Sequence, residues 1–158
     1  MRPLAPAPGY NAEATVSRDG WIVFTSTRDG DLDLYKMRLD GSGLTRLTST
    51  LGYDGGAFFS PDGRRLVWRA MYPETAADSA DYRNLLAQRL VRPTRLELWV
   101  ANADGSDARQ VTHLGAASSP PSFTRTAAGS CSPRTIRIRR AGTSIFIWWA
   151  WTAAGWSG

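Results

Sequence analysis

Between positions 10 and 124 the apolar residues come in short bursts separated by turns rich in Asp, Gly, Ser and Pro. Within the bursts the period is two rather than 3.6, which predicts strands. Tyr10 to Ser17 reads as the last strand of a unit. Trp21-Ile22-Val23-Phe24-Thr25 is mostly apolar and predicts a strand buried on both faces. Arg28-Asp29-Gly30 turns the chain, and Asp31 to Leu39 alternates polar and apolar, which gives one buried face. Asp40-Gly41-Ser42-Gly43 is a hairpin loop before a strand at Leu44 to Thr48. A further strand near Asp54 to Phe59 is expected to complete that unit as its fourth. The tight turn Pro61-Asp62-Gly63 then leads into Arg64 to Ala70, the opening strand of a second unit.

One stretch breaks the strand pattern. Glu74, Thr75, Ala76 and Ala77 start a helix-favouring run that continues through Leu85, Leu86 and Leu90. Pro73 stands where a helix N-terminus tolerates it and Pro93 ends the run, so one helix is expected over roughly 74–90. Leu96 to Ala101, Ala108 to Thr112 and a segment near Pro121 to Phe123 are expected to finish the second unit.

These elements repeat. Tyr10, Ala14, Ser17, Asp19 and Gly20 recur as Tyr53, Ala57, Ser60, Asp62 and Gly63, at an offset of 43. Asp40-Gly41-Ser42 recurs as Asp104-Gly105-Ser106, and Thr48 as Thr112, at an offset of 64. The difference of 21 is the helical insertion. A period of about 40–45 residues with four short strands marks a propeller blade. The predicted fold class is all-β: about two four-stranded antiparallel blades with one helical insertion inside 72–92.

Composition divides the chain at Thr124. Of 19 basic and 14 acidic residues, five arginines and no acid fall in 125–158, so the whole net charge of +5 belongs there. The same stretch holds four of the seven tryptophans and the single cysteine, Cys131. A blade should restart near 126, yet Arg125-Thr126-Ala127-Ala128 stands there. With wobble bases and the Arg and Ser codons chosen freely, a reading one base over converts Arg125–Gly129 into Pro-Asp-Gly-Arg-Arg. It converts Ile145–Trp149 into Asp-Ile-Tyr-Leu-Val, and Trp151–Trp156 into Val-Asp-Gly-Ser-Gly-Leu. These strings reproduce the turn, strand and hairpin of the upstream repeats in order. The tail is therefore expected to be translated out of frame, from a sequencing error or a real indel; the alternative is a genuine basic, aromatic tail. The domain reading is 1–9 irregular, 10–124 repeats, and 125–158 out of frame. Met1 to Gly9 lacks the charged and apolar regions of a signal peptide, and no stretch is long enough to span a membrane.

Ile22-Val23-Phe24-Thr25-Ser26-Thr27-Arg28-Asp29-Gly30, then Asp33-Leu34-Tyr35, Asp40-Gly41-Ser42-Gly43, Leu47-Thr48 and Ser60-Pro61-Asp62-Gly63, resemble the WD-40-like repeats of TolB-type β-propellers. The resemblance covers about 10–124. It departs from the pattern at Arg18, where the family usually has proline, and at the 21-residue insertion. It implies a six- or seven-bladed propeller, often in the bacterial periplasm or envelope, that binds partner proteins. It implies no catalysis. Similar blades also precede hydrolase domains in oligopeptidases, so fold alone does not fix function.

The candidate chemistry is sparse. Asp29, Asp31 and Asp33 could face one cation, but a calcium loop needs Gly at its sixth position and Leu34 stands there. A turn and a polar strand face explain them better. His113 is the only histidine and makes no triad or zinc site; it reads as a surface loop residue. No G-x-S-x-G occurs, so the hydrolase elbow is missing. Trp21, Trp68 and Trp99 read as blade core. Trp148, Trp149 and Trp151 beside Arg137, Arg139 and Arg140 could stack on single strands, but an out-of-frame product has no selected role. Absence of cysteine from 1–124 fits an oxidising compartment. The insertion helix is the partner-binding candidate through Tyr82, Arg83 and Arg89; its bland alternative is a cover over a strand edge.

The reading is a non-enzymatic propeller scaffold for protein–protein binding, with no catalytic residue, metal, cofactor, nucleic acid or membrane span. The alternative is the propeller part of a serine oligopeptidase whose catalytic domain lies elsewhere. Two blades cannot close a ring, and stable arrays need at least three repeats, so an incomplete piece prone to self-association is expected.

Overall fold

The computed structural model describes residues 9–92, 94–113, 115, 122–125, 136–141 and 144–149. The first sheet contains β1 (Asn11–Val16), β2 (Trp21–Ser26), β3 (Asp33–Arg38) and β4 (Thr45–Arg46). The second contains β5 (Tyr53–Phe59), β6 (Arg65–Met71), β7 (Glu97–Asn102) and β8 (Arg109–Gln110), with α1 (Ala76–Ala87) between β6 and β7. Each sheet is an antiparallel meander with its strands in chain order.

Two expectations about grouping are corrected. Tyr10 to Ser17 opens the first sheet rather than closing an earlier one, and Asp54 to Phe59 opens the second rather than completing the first. The reason is local. Ser17 N–H bonds the Trp21 carbonyl and Gly20 N–H the Ser17 carbonyl, closing a β1–β2 hairpin. Ser60 N–H bonds the Arg65 carbonyl and Gly63 N–H the Ser60 carbonyl, closing β5–β6 in the same way. Two strands flanking a tight turn pair with each other at little loop cost. The turn therefore lies inside a sheet, not between sheets.

The repeat is visible in hydrogen bonds. Ser42 N–H bonds Asp40 Oδ1 at 2.8 Å, and Ser106 N–H bonds Asp104 Oδ1 at 2.9 Å. Leu34 N–H donates to Thr48 Oγ1 at 2.9 Å, and Leu98 N–H to Thr112 Oγ1 at 2.8 Å. Tyr35 pairs across the sheet with Phe24 and Arg46, and Trp99 with Trp68 and Gln110. Tyr35 and Trp99 thus hold equivalent places, 64 residues apart; Tyr35 is buried and Trp99 half-buried.

The core lies between the sheets. Val23 and Leu34 of the first pack with Ala57, Leu66, Trp68, Ala70 and Ala101 of the second. Trp68 is 1% exposed, and its Nε1–H donates to the fully buried Asp54 Oδ1 at 2.7 Å. Trp99 and Tyr72 pack edge to face with ring centroids 5.1 Å apart. Trp21 is not core as expected: it is half-buried, with Lys36 Nζ and the Arg38 guanidinium over its ring at 5.0 and 3.9 Å. The strand through Asp33 also differs from the expected one-faced pattern. Asp33 is fully buried because Arg46 Nη2 meets its Oδ2 at 2.6 Å.

The helix is shorter than expected. Thr75 caps it: its Oγ1 accepts from Asp78 N–H at 3.1 Å, and the Asp78 carboxylate accepts from Thr75 N–H at 3.2 Å. This capping box satisfies two donors that would otherwise be orphaned. At the other end, Arg89 N–H bonds the Leu86 carbonyl and Leu90 N–H the Leu85 carbonyl, both at 2.9 Å. That pattern is a Schellman stop.

A third sheet has the order β10 (Ile136–Ala141), β11 (Ser144–Trp149), β9 (Ser122–Arg125). β10 and β11 are antiparallel, while β11 and β9 are parallel. Of the segment near Pro121 to Phe123, Ser122 and Phe123 therefore pair in this sheet and not in the second one, and Pro121 lies outside the described residues. Cys131 and Trp151 lie outside the described residues.

Candidate functional site

Helix α1 is tied down through the hydroxyl of Tyr82. Tyr82 is 5% exposed, and its hydroxyl lies 2.6 Å from both Asp31 Oδ1 and the Gly52 carbonyl. Burial, then the Asp31 carboxylate, push its pKa up. Tyr82, expected as a partner-binding residue, has its side chain facing inward, where it holds the helix onto the first sheet. Arg83 and Arg89 are exposed. The structure brings them together on a groove of about 940 Å³, between α1 and the end of the first sheet. Leu32, Leu51, Tyr53, Leu86 and Val91 supply much of its lining.

Two of the three aspartates, Asp29 and Asp33, meet at the Arg46 guanidinium, at 3.9 and 2.6 Å, and Asp31 is engaged elsewhere. Asp29 Oδ2 accepts from the Tyr35 hydroxyl at 2.6 Å. Asp31 accepts from the Leu32 and Gly52 N–H groups at 2.8 and 3.0 Å, besides Tyr82. Asp33 pairs with Arg46, and its pKa is pushed up to about 6 by burial, which outweighs that arginine. Among the described residues no cluster of three His, Cys, Asp or Glu could hold a metal. Each carboxylate orders a different loop or strand. His113 is exposed, 3.0 Å from Gln110 Nε2 through Nδ1.

Sequence reasoning missed Glu13. Its carboxylate accepts from Gly56 N–H at 2.8 Å, Thr25 Oγ1–H at 3.2 Å and the Tyr53 hydroxyl at 3.2 Å, and it pairs with Arg69 Nη2 at 3.2 Å. Burial, then the Glu13 charge, push the Tyr53 hydroxyl up to about 12. This cluster joins β1 to β5 and β6 beside the groove, which Tyr10 and Tyr53 also line. The available signal was the offset of 43, which places Glu13 opposite a glycine in the repeat.

Two successive four-stranded meanders, packed through a shared core and built on one repeat, are blades of a β-propeller. The chain has the TolB-like form of that fold. It superposes on a TolB-type structure from Agrobacterium tumefaciens with a TM-score of 0.53 and 24% identity, over 68% of this chain and 35% of that one. It superposes on TolB from Acinetobacter baumannii with a TM-score of 0.54 and 16% identity, over 89% of this chain and 29% of that one. At these identities the likeness concerns the fold. Among curated proteins it is similar to the uncharacterized protein Atu1656 of Agrobacterium fabrum. They are 35% identical over 66 residues, or 41% of this chain and 22% of that protein. The chain therefore spans about a third or less of the relatives it matches. No protein-family model matches it. Among the described residues, no helix is long and apolar enough to cross a membrane.

Proposed function

We propose that the chain is a non-enzymatic β-propeller scaffold that binds a protein partner, of the TolB-like envelope or biopolymer-transport type. One observation carries this reading. The helix inserted between β6 and β7 is fixed to the neighbouring blade by Tyr82 and presents Arg83 and Arg89 beside an open groove. A cover over a strand edge needs the anchor but not two exposed arginines. Helical insertions on one face of a repeat array commonly sit on its binding side. The periplasmic or envelope setting follows from the resemblance to TolB-type repeats, and cell fractionation tests it.

The experiment is photo-crosslinking from position 87, an exposed alanine lining the same groove, in the native host, followed by capture of the chain. A single protein partner, crosslinked from position 87 and lost when Arg83→Ala and Arg89→Ala are added at unchanged melting temperature, is the expected result. Unchanged capture in that double variant removes the helix from the binding site.

A further inference from the structure

We propose that the groove between α1 and the first blade receives an extended acidic segment of the partner, with its carboxylates held by Arg83 and Arg89; this rests on the binding role proposed above. At about 940 Å³ the groove lies at the upper end of ordinary ligand clefts, about 300–1,000 Å³. Its floor is apolar: Leu32 is 4% exposed, with Leu51, Leu86 and Val91 half-buried around it. Among the described residues, the two arginines are the only charged side chains in the lining. An occupant must therefore combine apolar side chains with negative charge.

The guanidinium groups have not been neutralised from within. The nearby carboxylate of Asp31 is used by Leu32, Gly52 and Tyr82, and that of Glu13 by Gly56, Thr25, Tyr53 and Arg69. Farther along the same insertion, Arg92 pairs with Asp81 and Arg95 with Glu74. Arg83 and Arg89 have no ion pair among the described residues. Arginine presents a planar fork suited to carboxylates.

Arg89 carries a second sign. Its φ is +61°, at the position of the helix stop where glycine is usual. A residue with a Cβ is less favourable there than glycine. Non-glycine residues in such conformations cluster at binding sites. Here the strained residue is one of the two that bring charge to the groove.

The probes are fluorescein-labelled peptides of alternating leucine and glutamate, leucine and glutamine, and leucine and lysine. They are titrated against the 158-residue chain fused behind a soluble carrier. The glutamate peptide should bind in preference to the other two. Arg83→Ala and Arg89→Gly should each weaken it by roughly tenfold, the effect of losing about 1.4 kcal/mol. Arg89→Gly should at the same time raise the melting temperature, a combination that a purely structural role cannot give. Arg83→Glu with Arg89→Glu should transfer preference to the lysine peptide. Equal binding of the glutamate and glutamine peptides overturns the proposal, as does full displacement by inorganic phosphate at equal carboxylate concentration. If no peptide binds while the crosslinked partner is still lost in the arginine variants, the acidic segment is wrong and the scaffold reading stands.

Discussion

Glu13 and Gly56 occupy the same place in successive blades and are hydrogen-bonded to each other. They stand 43 residues apart, each within a register shift of its hairpin, with φ of +56° and +62°. The Glu13 carboxylate crosses to accept the Gly56 N–H at 2.8 Å. A Cβ at 56 would approach Arg69 Nη2 to 2.8 Å, so glycine makes room for the arginine that Glu13 also binds. The repeat is thus asymmetric by design at one position: one copy gives the carboxylate, the other the donor and the space.

Gly56→Ala should therefore destabilise the chain by about 1–3 kcal/mol, through strained φ and the displaced guanidinium. Glu13→Gln should cost about the same, because Arg69 is left without its counter-ion. In a double-mutant cycle with Arg69→Met, measured by urea unfolding, the two changes should couple by about 1 kcal/mol. Additive effects would mean that the ion pair contributes nothing to joining the blades.

Asp54 gives a pH signature. It is fully buried; Oδ1 accepts from Trp68 Nε1–H and the Tyr72 hydroxyl, both at 2.7 Å, while Oδ2 has no hydrogen bond within reach among the described residues. Burial outweighs those hydrogen bonds and pushes its pKa up to about 7, above the ordinary 3.8. The folded state then holds a proton that the unfolded state releases. Asp54 therefore contributes a stability that is present in full below about 3.8 and is lost as pH rises through about 7. The melting temperature should fall from pH 5 to pH 8, and Asp54→Asn should flatten that slope. A wild-type slope retained in the variant would assign the effect elsewhere, first to Asp33, which is raised to about 6.

The strands and turns were legible because their causes are local. Asp40-Gly41-Ser42 and Asp104-Gly105-Ser106 make the same turn from the same three residues. The sheet boundaries were not legible, since a cyclic repeat can be cut at any turn and a sequence offset does not say where. Nor was the role of Tyr82. Its partner, Asp31, is 51 residues away, and α1 has no apolar stripe to show which side faces in; Tyr82 is its one buried residue. Arg83 and Arg89 could be singled out as exposed chemistry. The groove between them and Leu51 exists only once the blade has folded.

Tyr82→Phe separates anchor from contact. The ring stays, but Asp31 and the Gly52 carbonyl lose a buried donor, which should cost about 1–3 kcal/mol. Hydrogen exchange in 76–87 should accelerate. Arg83→Ala, on the exposed side, should stay within about 0.5 kcal/mol of wild type. Equal loss of stability in both variants would make the helix a plain cover whose whole surface is structural.

The third sheet bears on the reading frame. The first two sheets run in chain order, each strand antiparallel to the one before. The third pairs β11 with β9 in parallel and puts β10 on the outside, so it does not repeat the blade. Its sequence contains no acid, whereas every upstream hairpin turn is built on aspartate. A one-base shift at codon 125 would account for both features, since with wobble bases and the Arg and Ser codons chosen freely the shifted frame can spell the missing turn, strand and hairpin in order. We propose that the gene continues in that frame. Resequencing the locus, with peptide mass spectrometry of the native protein, should find Pro-Asp-Gly-Arg-Arg following Thr124. The corrected chain should then form a third antiparallel meander. The tryptic peptide Ala141–Gly158 as written, which contains no lysine or arginine, from a reading frame intact through codon 124, would show that the basic tail is genuine and that the propeller repeat stops there.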